Sequence, residues 1–321
     1  MRLTVTAKSR YDEPMNLSNG ISVVIPVYRS EQTLNELVSR VSNALQNHEF
    51  EIILVDDASG DRSWTAISTL SRENSTVKGI RLGRNSGQHG ALLAGVRIAK
   101  FETTVTLDDD LQNPPEEIEK LISELKPSVD VVYGVSEEIK QNLYRRLGST
   151  LVRKFFSSAL GFNSAVTMSS FRAFRTELRD GFNTQLGPNI SLDALLTWST
   201  TRFTVAKVRH DERKIGSSHY TLRKLVRFMI DMTTGYSALP LRLATAIGFT
   251  TIGLGFMLLL YVVGRPLLSG ESVPGFPLLA SSIIIFSGVQ IFLLGVLGEY
   301  IGRMHFRVMN KPTYMIAEST N

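Results

Sequence analysis

TVTLDDDLQNPPEEI, residues 104–118, runs from a β-branched stretch into three consecutive aspartates and then a Pro-Pro pair. β-Branched residues fit a pleated strand. A proline just inside a helix start costs little, because its missing N–H would have had no partner there. The aspartates therefore fall where a strand ends and a helix begins. Three adjacent carboxylates repel one another, so something positive should sit among them.

Outward from this stretch the same pattern repeats. ISVVIPVY (21–28), EIILVDD (51–57), VKGIRL (77–82), TTVTLDDD (103–110) and VDVVYG (129–134) read as buried strands. Helical stretches fall between them at 31–47, 62–73, 87–99 and 115–125. Alternation at this period gives right-handed βαβ units and an α/β fold on a mostly parallel, Rossmann-like sheet. Such sheets bind ligands outside the carboxyl ends of their strands. VDDASGD (55–61) and LDDDLQ (107–112) should both face that crevice.

No GxGxxG follows the first strand and no GxxxxGK[ST] occurs anywhere, so the dinucleotide fingerprint and the P-loop are absent. Clustered carboxylates without His or Cys suit a hard cation, Mg²⁺ or Mn²⁺, with oxygen ligands. The expectation is that the aspartates hold a metal diphosphate. A solvated acidic turn capping the helix after Pro114 and Pro115 is the plainer alternative, and Asp109 suits it.

The chain has 321 residues, 43% hydrophobic, with a net charge of +5 and no cysteine, which excludes disulfides and Cys-based metal sites. Residues 1–20 are polar, lack an apolar h-region and read as a loose tail. The apolar residues are unevenly spread. Leu243–Val263 and Ser272–Gly298 are free of charge, and each exceeds the roughly 20 residues that span a bilayer. Length and purity favour a membrane hairpin over two buried helices. Arg223, Lys224, Arg227 and Arg242 flank one side and Arg303, Arg307 and Lys311 the other, around a nearly neutral loop. By the positive-inside rule both flanks are cytoplasmic. Leu222, Leu225, Val226 and Met229 recur at helical spacing beside the basic residues, so 219–240 reads as an amphipathic segment on the membrane surface, or else as a linker helix on the globular domain. The expected layout is a tail (1–20), a catalytic domain (21–218), the interface segment, a two-helix hairpin (241–300) and a C-terminal tail (301–321).

IPVYRSEQTL (25–34), VDDASGDRS (55–63), RNSGQHGALLAG (84–95) and LDDDLQNPPEEI (107–118) together resemble the family 2 glycosyltransferases of the GT-A fold. RKIGSSHY (213–220) and LGEYIGRMHFRVMNKPTY (297–314) resemble the polyprenyl-phosphate glycosyltransferase group within it. The resemblance implies a nucleotide sugar as donor, a polyprenyl phosphate as acceptor, a plasma-membrane location and a homo-oligomer, with no nucleic acid. It implies that Asp108 and Asp110, with Gln112 beside them, bind the metal. Pro26, Tyr28, Asp57 and Asp109 would line the nucleotide, and Arg213, Ser218 and His219 would close over its diphosphate. Asp110, Arg172 and Arg213 would carry catalysis, while Arg145, Arg146, Ser169, Ser170 and Arg172 would receive the acceptor phosphate. Arg153 and Arg175 are further candidates for that role. Two departures stand out: Ser170 occupies a position where many relatives carry Asp, and His219 stands where a Lys is usual. A processive polysaccharide synthase is the competing enzyme, but its QxxRW motif is missing. A catalytically inactive scaffold is the other alternative.

Overall fold

The computed structural model describes residues 18–136, 168–183, 191–211, 239–269, 275–309 and 312–320. The chain divides into two compact units, residues 1–219 with 310–321, and residues 220–309.

The first unit is built on an eight-stranded sheet. In chain order the strands are β1 (Ser18–Val27), β2 (Phe50–Asp56), β3 (Val77–Leu82), β4 (Phe101–Thr106), β5 (Val131–Ser136), β6 (Arg172–Arg175), β7 (Phe203–Val208) and β8 (Ile316–Ser319). Their spatial order is β7-β5-β6-β4-β1-β2-β3-β8. β1 runs parallel to β2 on one side and to β4 on the other, with Val27 opposite Asp56 and Val24 opposite Thr106. The chain thus reverses its direction of winding at β1. The crevice at that switch point is flanked by the loops that follow β2 and β4, where both acidic motifs lie. β6 pairs antiparallel with β4 and β5, while β5 and β7 are parallel.

Helices cover both faces, which is why the middles of β1 and β2, Val23–Ile25 and Ile52–Val55, are apolar without alternation. α1 (Leu34–Ala44) presents Leu34, Leu37, Val38 and Val41 at helical spacing to a core that contains Val23, Ile25, Ile52 and Leu54. α2 (Ser63–Glu73) adds Ile67 to this face. On the other face α3 (Gln88–Ile98) packs against Val24, Ile53 and Val55. It lies close to the sheet. A β-carbon on Gly95 would come within 2.4 Å of Val24 Cγ1, so only glycine fits there. α4 (Ile118–Ser123) follows a 3-10 turn at Pro115–Glu117, and α5 (Leu192–Ser199) packs beside α3.

The chain's last residues depart from expectation. Within the segment expected as a C-terminal tail, β8 pairs antiparallel with β3, and Thr313 just before it is buried. Four residues, two apolar and two polar, are too short a run to carry a strand pattern in sequence. Main-chain pairing with an otherwise open edge supplies their order.

In the second unit α6 (Leu239–Ser269) and α7 (Gly275–Val308) are both long and apolar enough to cross a membrane. Their apolar windows, Pro240–Val262 and Ile285–Gly302, have mean hydropathies of 2.0 and 1.6. Almost none of either window is buried, and Phe249 and Ile291 are 72% and 71% exposed, as residues that face lipid would be. The helices meet through small residues. A β-carbon on Gly255 would lie 2.8 Å from the Phe286 ring, so glycine lets that ring cross the neighbouring backbone. α7 continues well past the boundary at residue 300 that composition suggested. Glu299, Arg303 and Arg307 lie in its final turns, and a helix does not stop where its apolar stripe stops.

Candidate active site

The three aspartates after β4 have three different environments. The Asp108 carboxylate accepts hydrogen bonds from Gln88 Nε2 at 2.6 Å and from the Ser170 hydroxyl. Asp110 Oδ1 accepts the Gln112 N–H at 3.1 Å. Asp109 turns towards the end of β1, where its Oδ2 accepts the Tyr28 N–H at 3.1 Å and the Ser30 hydroxyl. Its carbonyl accepts from Thr33 Oγ1 at 2.8 Å. Burial pushes the Asp109 carboxyl up to about 6 against the pull of those two donors, and the neighbouring Asp108 and Asp110 add to the rise. Asp109 therefore pins the acidic loop to β1, and the role of nucleotide contact does not fit it. Leu111, in the left-handed region at φ 59° and buried, makes the sharp turn that lets neighbouring carboxylates diverge.

The loop is braced from its other side. Asp211 N–H donates to the Gln112 carbonyl at 2.8 Å, and Arg209 N–H to Glu117 at 3.2 Å. The segment after β7 thus lies against the acidic motif.

Asp57 lies at the end of β2, as its position in sequence requires, but it is buried. Its two oxygens accept the N–H groups of Ser86 and Gly87 at 2.6 and 2.9 Å. Burial raises its carboxyl despite those bonds. Asp57 therefore organises the loop between β3 and α3, where the expectation was an open contact to base or ribose. Gly87, at φ 78°, lets that loop present two successive N–H groups to one carboxylate. Tyr28 remains 47% exposed at the crevice, with the Arg29 guanidinium 5.3 Å from its ring centre. Pro26 is a buried member of β1, opposite Val55.

Arg172 overturns a second expectation. Its side chain is 1% exposed and ion-paired with Asp193, and its Nε donates to Thr106 Oγ1 at 3.0 Å. Tyr133 O–H donates to the same Asp193 at 2.9 Å. Burial works against the charge of Arg172, but Asp193 and its neighbours more than offset this and hold the guanidinium charged. A guanidinium so enclosed is no landing site for a lipid phosphate; it locks β6 to α5. Arg175 turns to Asp130, at 3.7 Å, and to the Lys126 carbonyl. Ser169 Oγ accepts the Phe171 N–H at 3.2 Å. Arg145, Arg146, Arg153, Arg213, Ser218 and His219, and the interface segment up to residue 238, lie outside the described residues.

Sequence reasoning missed Gln88, Ser30, Thr33 and Asp193. Gln88 had a signal, since it opens a helix directly after a glycine loop. Among the described residues no three of His, Cys, Asp and Glu converge on a metal-sized space. The donor chemistry still fits a hard divalent cation. Mg²⁺ typically takes one or two carboxylates and fills its shell with water and phosphate oxygens.

The profile of glycosyl transferase family 2 matches residues 22–182, which carry both acidic motifs and the loop between them. The chain belongs to glycosyl transferase family 2. It is a glycosyltransferase. This family 2 enzyme is 36% identical over 306 residues to the undecaprenyl-phosphate 4-deoxy-4-formamido-L-arabinose transferase of Pseudomonas fluorescens, covering 92% of this chain and 89% of that one. It is 36% identical over 301 residues to the same-named protein of Aeromonas hydrophila, covering 92% of each. Among solved structures it resembles a glucosyl-3-phosphoglycerate synthase from Mycobacterium tuberculosis in complex with Mn²⁺, UDP and phosphoglyceric acid. That likeness has a TM-score of 0.52 at 16% identity over 67% of this chain and 76% of the other, and it concerns the GT-A fold.

Proposed function

We propose that this glycosyltransferase moves a sugar from a nucleotide sugar, of the uridine diphosphate class, to the phosphate of a polyprenyl lipid, with inversion at the anomeric carbon. The observation that supports it most is the relationship to transferases named for undecaprenyl phosphate, which extends over 92% of the chain. A soluble acceptor would make no use of two apolar helices.

In the reaction an acceptor phosphate oxygen attacks the anomeric carbon. The bond from that carbon to the donor diphosphate breaks, and its electron pair leaves with the nucleoside diphosphate. A transfer to a hydroxyl normally needs a general base. A phosphate monoester does not, because its second pKa is about 6 and it is mostly dianionic at neutral pH. Ser170 in place of an Asp is consistent with this, since its hydroxyl serves Asp108. Asp108 and Asp110, with Gln112 beside them, would hold a divalent cation, Mg²⁺ or Mn²⁺, which would supply charge to stabilise the departing diphosphate. Gln88 and Ser170 orient Asp108 for that role, and Asp109 fixes the loop behind it. Tyr28 lies against the base. Arg213, Ser218 and His219 are the residues proposed to contact the diphosphate, and Arg145, Arg146 and Ser169 those proposed to contact the acceptor phosphate. The hairpin enters and leaves the plasma membrane from the cytoplasm, so both chain ends and the catalytic domain are cytoplasmic, and the lipid-linked sugar serves cell-envelope glycans.

The test is transfer from a panel of radiolabelled uridine-diphosphate sugars by detergent-solubilised enzyme. Label should enter the lipid phase only when polyprenyl phosphate is present, and the donor that labels it names the sugar. Label passed to free oligosaccharide without lipid would replace this reading with the polymerase. No transfer from any donor would leave the inactive scaffold.

A further inference from the structure

The loop between β3 and α3, with Gln88 at the start of α3 (residues 83–88 together), holds both acidic motifs at once. Ser86 and Gly87 donate to Asp57 at 2.6 and 2.9 Å, and Gln88 donates to Asp108 at 2.6 Å. Something must hold the loop in turn, because a loop so rich in small and polar residues has little core of its own. The chain's final segment meets it. Gly83 N–H donates to the Met315 carbonyl at 2.8 Å, and Arg84 Nη2 to the Pro312 carbonyl at 3.0 Å. Thr313 is buried, with its methyl 3.9 Å from where a Gly90 β-carbon would stand, at the first turn of α3. Tyr314 O–H accepts from Arg97 Nη1 at 3.2 Å, and its ring centre lies 5.5 Å from that guanidinium. β8 then anchors the segment. Gly79 N–H donates to Thr320 Oγ1 at 2.7 Å, and Glu318 accepts from Arg81 at 2.8 Å and from Trp64 at 3.0 Å.

We propose that residues 312–320 are a positioning element of the nucleotide-sugar site: they buttress the loop that Asp57 organises, and through Gln88 that loop orients Asp108. This rests on the reading of the crevice as the nucleotide-sugar site. The contacts above reach the loop and α3, so the effect travels through the loop's main chain. A segment that only covered a sheet edge would bond to β3 alone. This one also grips the loop and the first and third turns of α3.

The test compares the full chain with a chain stopped after Lys311, by uridine diphosphate binding and by steady-state transfer. The shortened enzyme should show KM for the nucleotide sugar raised about tenfold, as for one or two lost positioning hydrogen bonds, with KM for the lipid unchanged. A synthetic peptide of residues 312–321, added in excess, should restore it by pairing with the vacated edge of β3, and a scrambled peptide should not. If the shortened chain does not fold, Tyr314→Ala keeps the test, since it leaves the pairing of β8 intact. Its nucleotide-sugar KM should rise severalfold. An unchanged KM beside a lowered Tm, in either variant, would overturn the proposal and leave the segment a mere edge cover. A full-length enzyme that bound no nucleotide would overturn the site reading as well, so the two failures are told apart by the wild type.

Discussion

Asp108 and Asp109 are neighbours in sequence and opposites in environment. One carboxylate is oriented by Gln88 and Ser170, while the other is turned under Tyr28 and Ser30. The triplet was legible as a strand-end acidic site because composition and the Pro-Pro that follows mark the position. Which way each side chain turns depends on the partners it meets, Gln88 and Ser170 for Asp108 and Tyr28 and Ser30 for Asp109, and nothing in the letters DDD records that. The same limit explains Arg172 and Asp57. Sequence places a residue at a strand end or in a motif, but burial is decided by partners far along the chain, here Asp193 and the loop at Ser86. Two outcomes follow at this scale. Asp108→Asn and Asp110→Asn should each cost about a hundredfold or more in initial transfer rate, the scale of losing preorganised charge stabilisation. Ser170→Ala should cost about tenfold or less, as for one orienting hydrogen bond of about 1 kcal/mol. Equal losses in both would mean that Ser170 takes part in the chemistry itself. Arg172→Ala, by contrast, should act on the fold. Removing the fully buried guanidinium leaves a cavity and takes the ion pair from Asp193, at a cost of about 2 kcal/mol or more, read as a lower midpoint of thermal unfolding. A normal midpoint with a raised KM for the lipid would instead restore Arg172 to the acceptor site.

At the scale of elements, the five strands expected from sequence are all present, and β3 spans the same residues, Val77–Leu82. Most of them carry a short run of apolar or β-branched residues, because both faces of the sheet are covered. β6, β7 and β8 were not expected. RAFR offers two arginines in four residues, and its order comes from neighbours on both sides. Asp130 shows how such weakly patterned strands are fastened. It lies at the start of β5, and Arg202 grips its carboxylate with Nε at 2.8 Å and Nη2 at 2.5 Å, ahead of β7. Arg175 of β6 stands 3.7 Å away. Burial alone would raise the Asp130 carboxyl, but Arg202, Thr200 and Arg175 more than offset it and hold it below its ordinary value. A depressed carboxylate contributes stability that is present above its unfolded pKa, near 3.9, and is lost as pH falls through the folded value. Asp130→Asn should therefore lower the unfolding midpoint at pH 7 by about 1–2 kcal/mol equivalent, with Arg202 half in solvent limiting the loss. The gap to wild type should close as pH drops below about 4. A gap that stays constant from pH 7 to pH 3 would show that the carboxylate's charge is not what fastens β5, β6 and β7.

At the scale of the whole molecule, what the sequence made plain was its division. Two charge-free runs stand apart from a domain whose apolar residues are short and punctuated, because a bilayer demands length and a sheet core does not. The two helices are exposed as well as long, with Phe249, Ile252, Phe256 and Ile291 facing outward as lipid-facing residues would. Orientation is a separate matter, decided by where the lysines and arginines lie. Arg223, Lys224, Arg227 and Arg242 precede the first span, and Arg303, Arg307 and Lys311 cluster at the end of the second. The connection between the spans has a single arginine, Arg265, offset by Glu271. Translocating that connection is therefore far less costly than translocating either flank. A reporter active only outside the cytoplasm should give signal when inserted beside Glu271 and none when fused at residue 1 or 321. A reporter active only in the cytoplasm should give the complement. The reverse pattern would put the acidic crevice on the face of the membrane away from cytoplasmic nucleotide sugars, and the proposed donor would fall with the topology. Replacing Arg303, Arg307 and Lys311 with glutamine should weaken the preference without abolishing it, because the four basic residues before the first span still hold that flank inside.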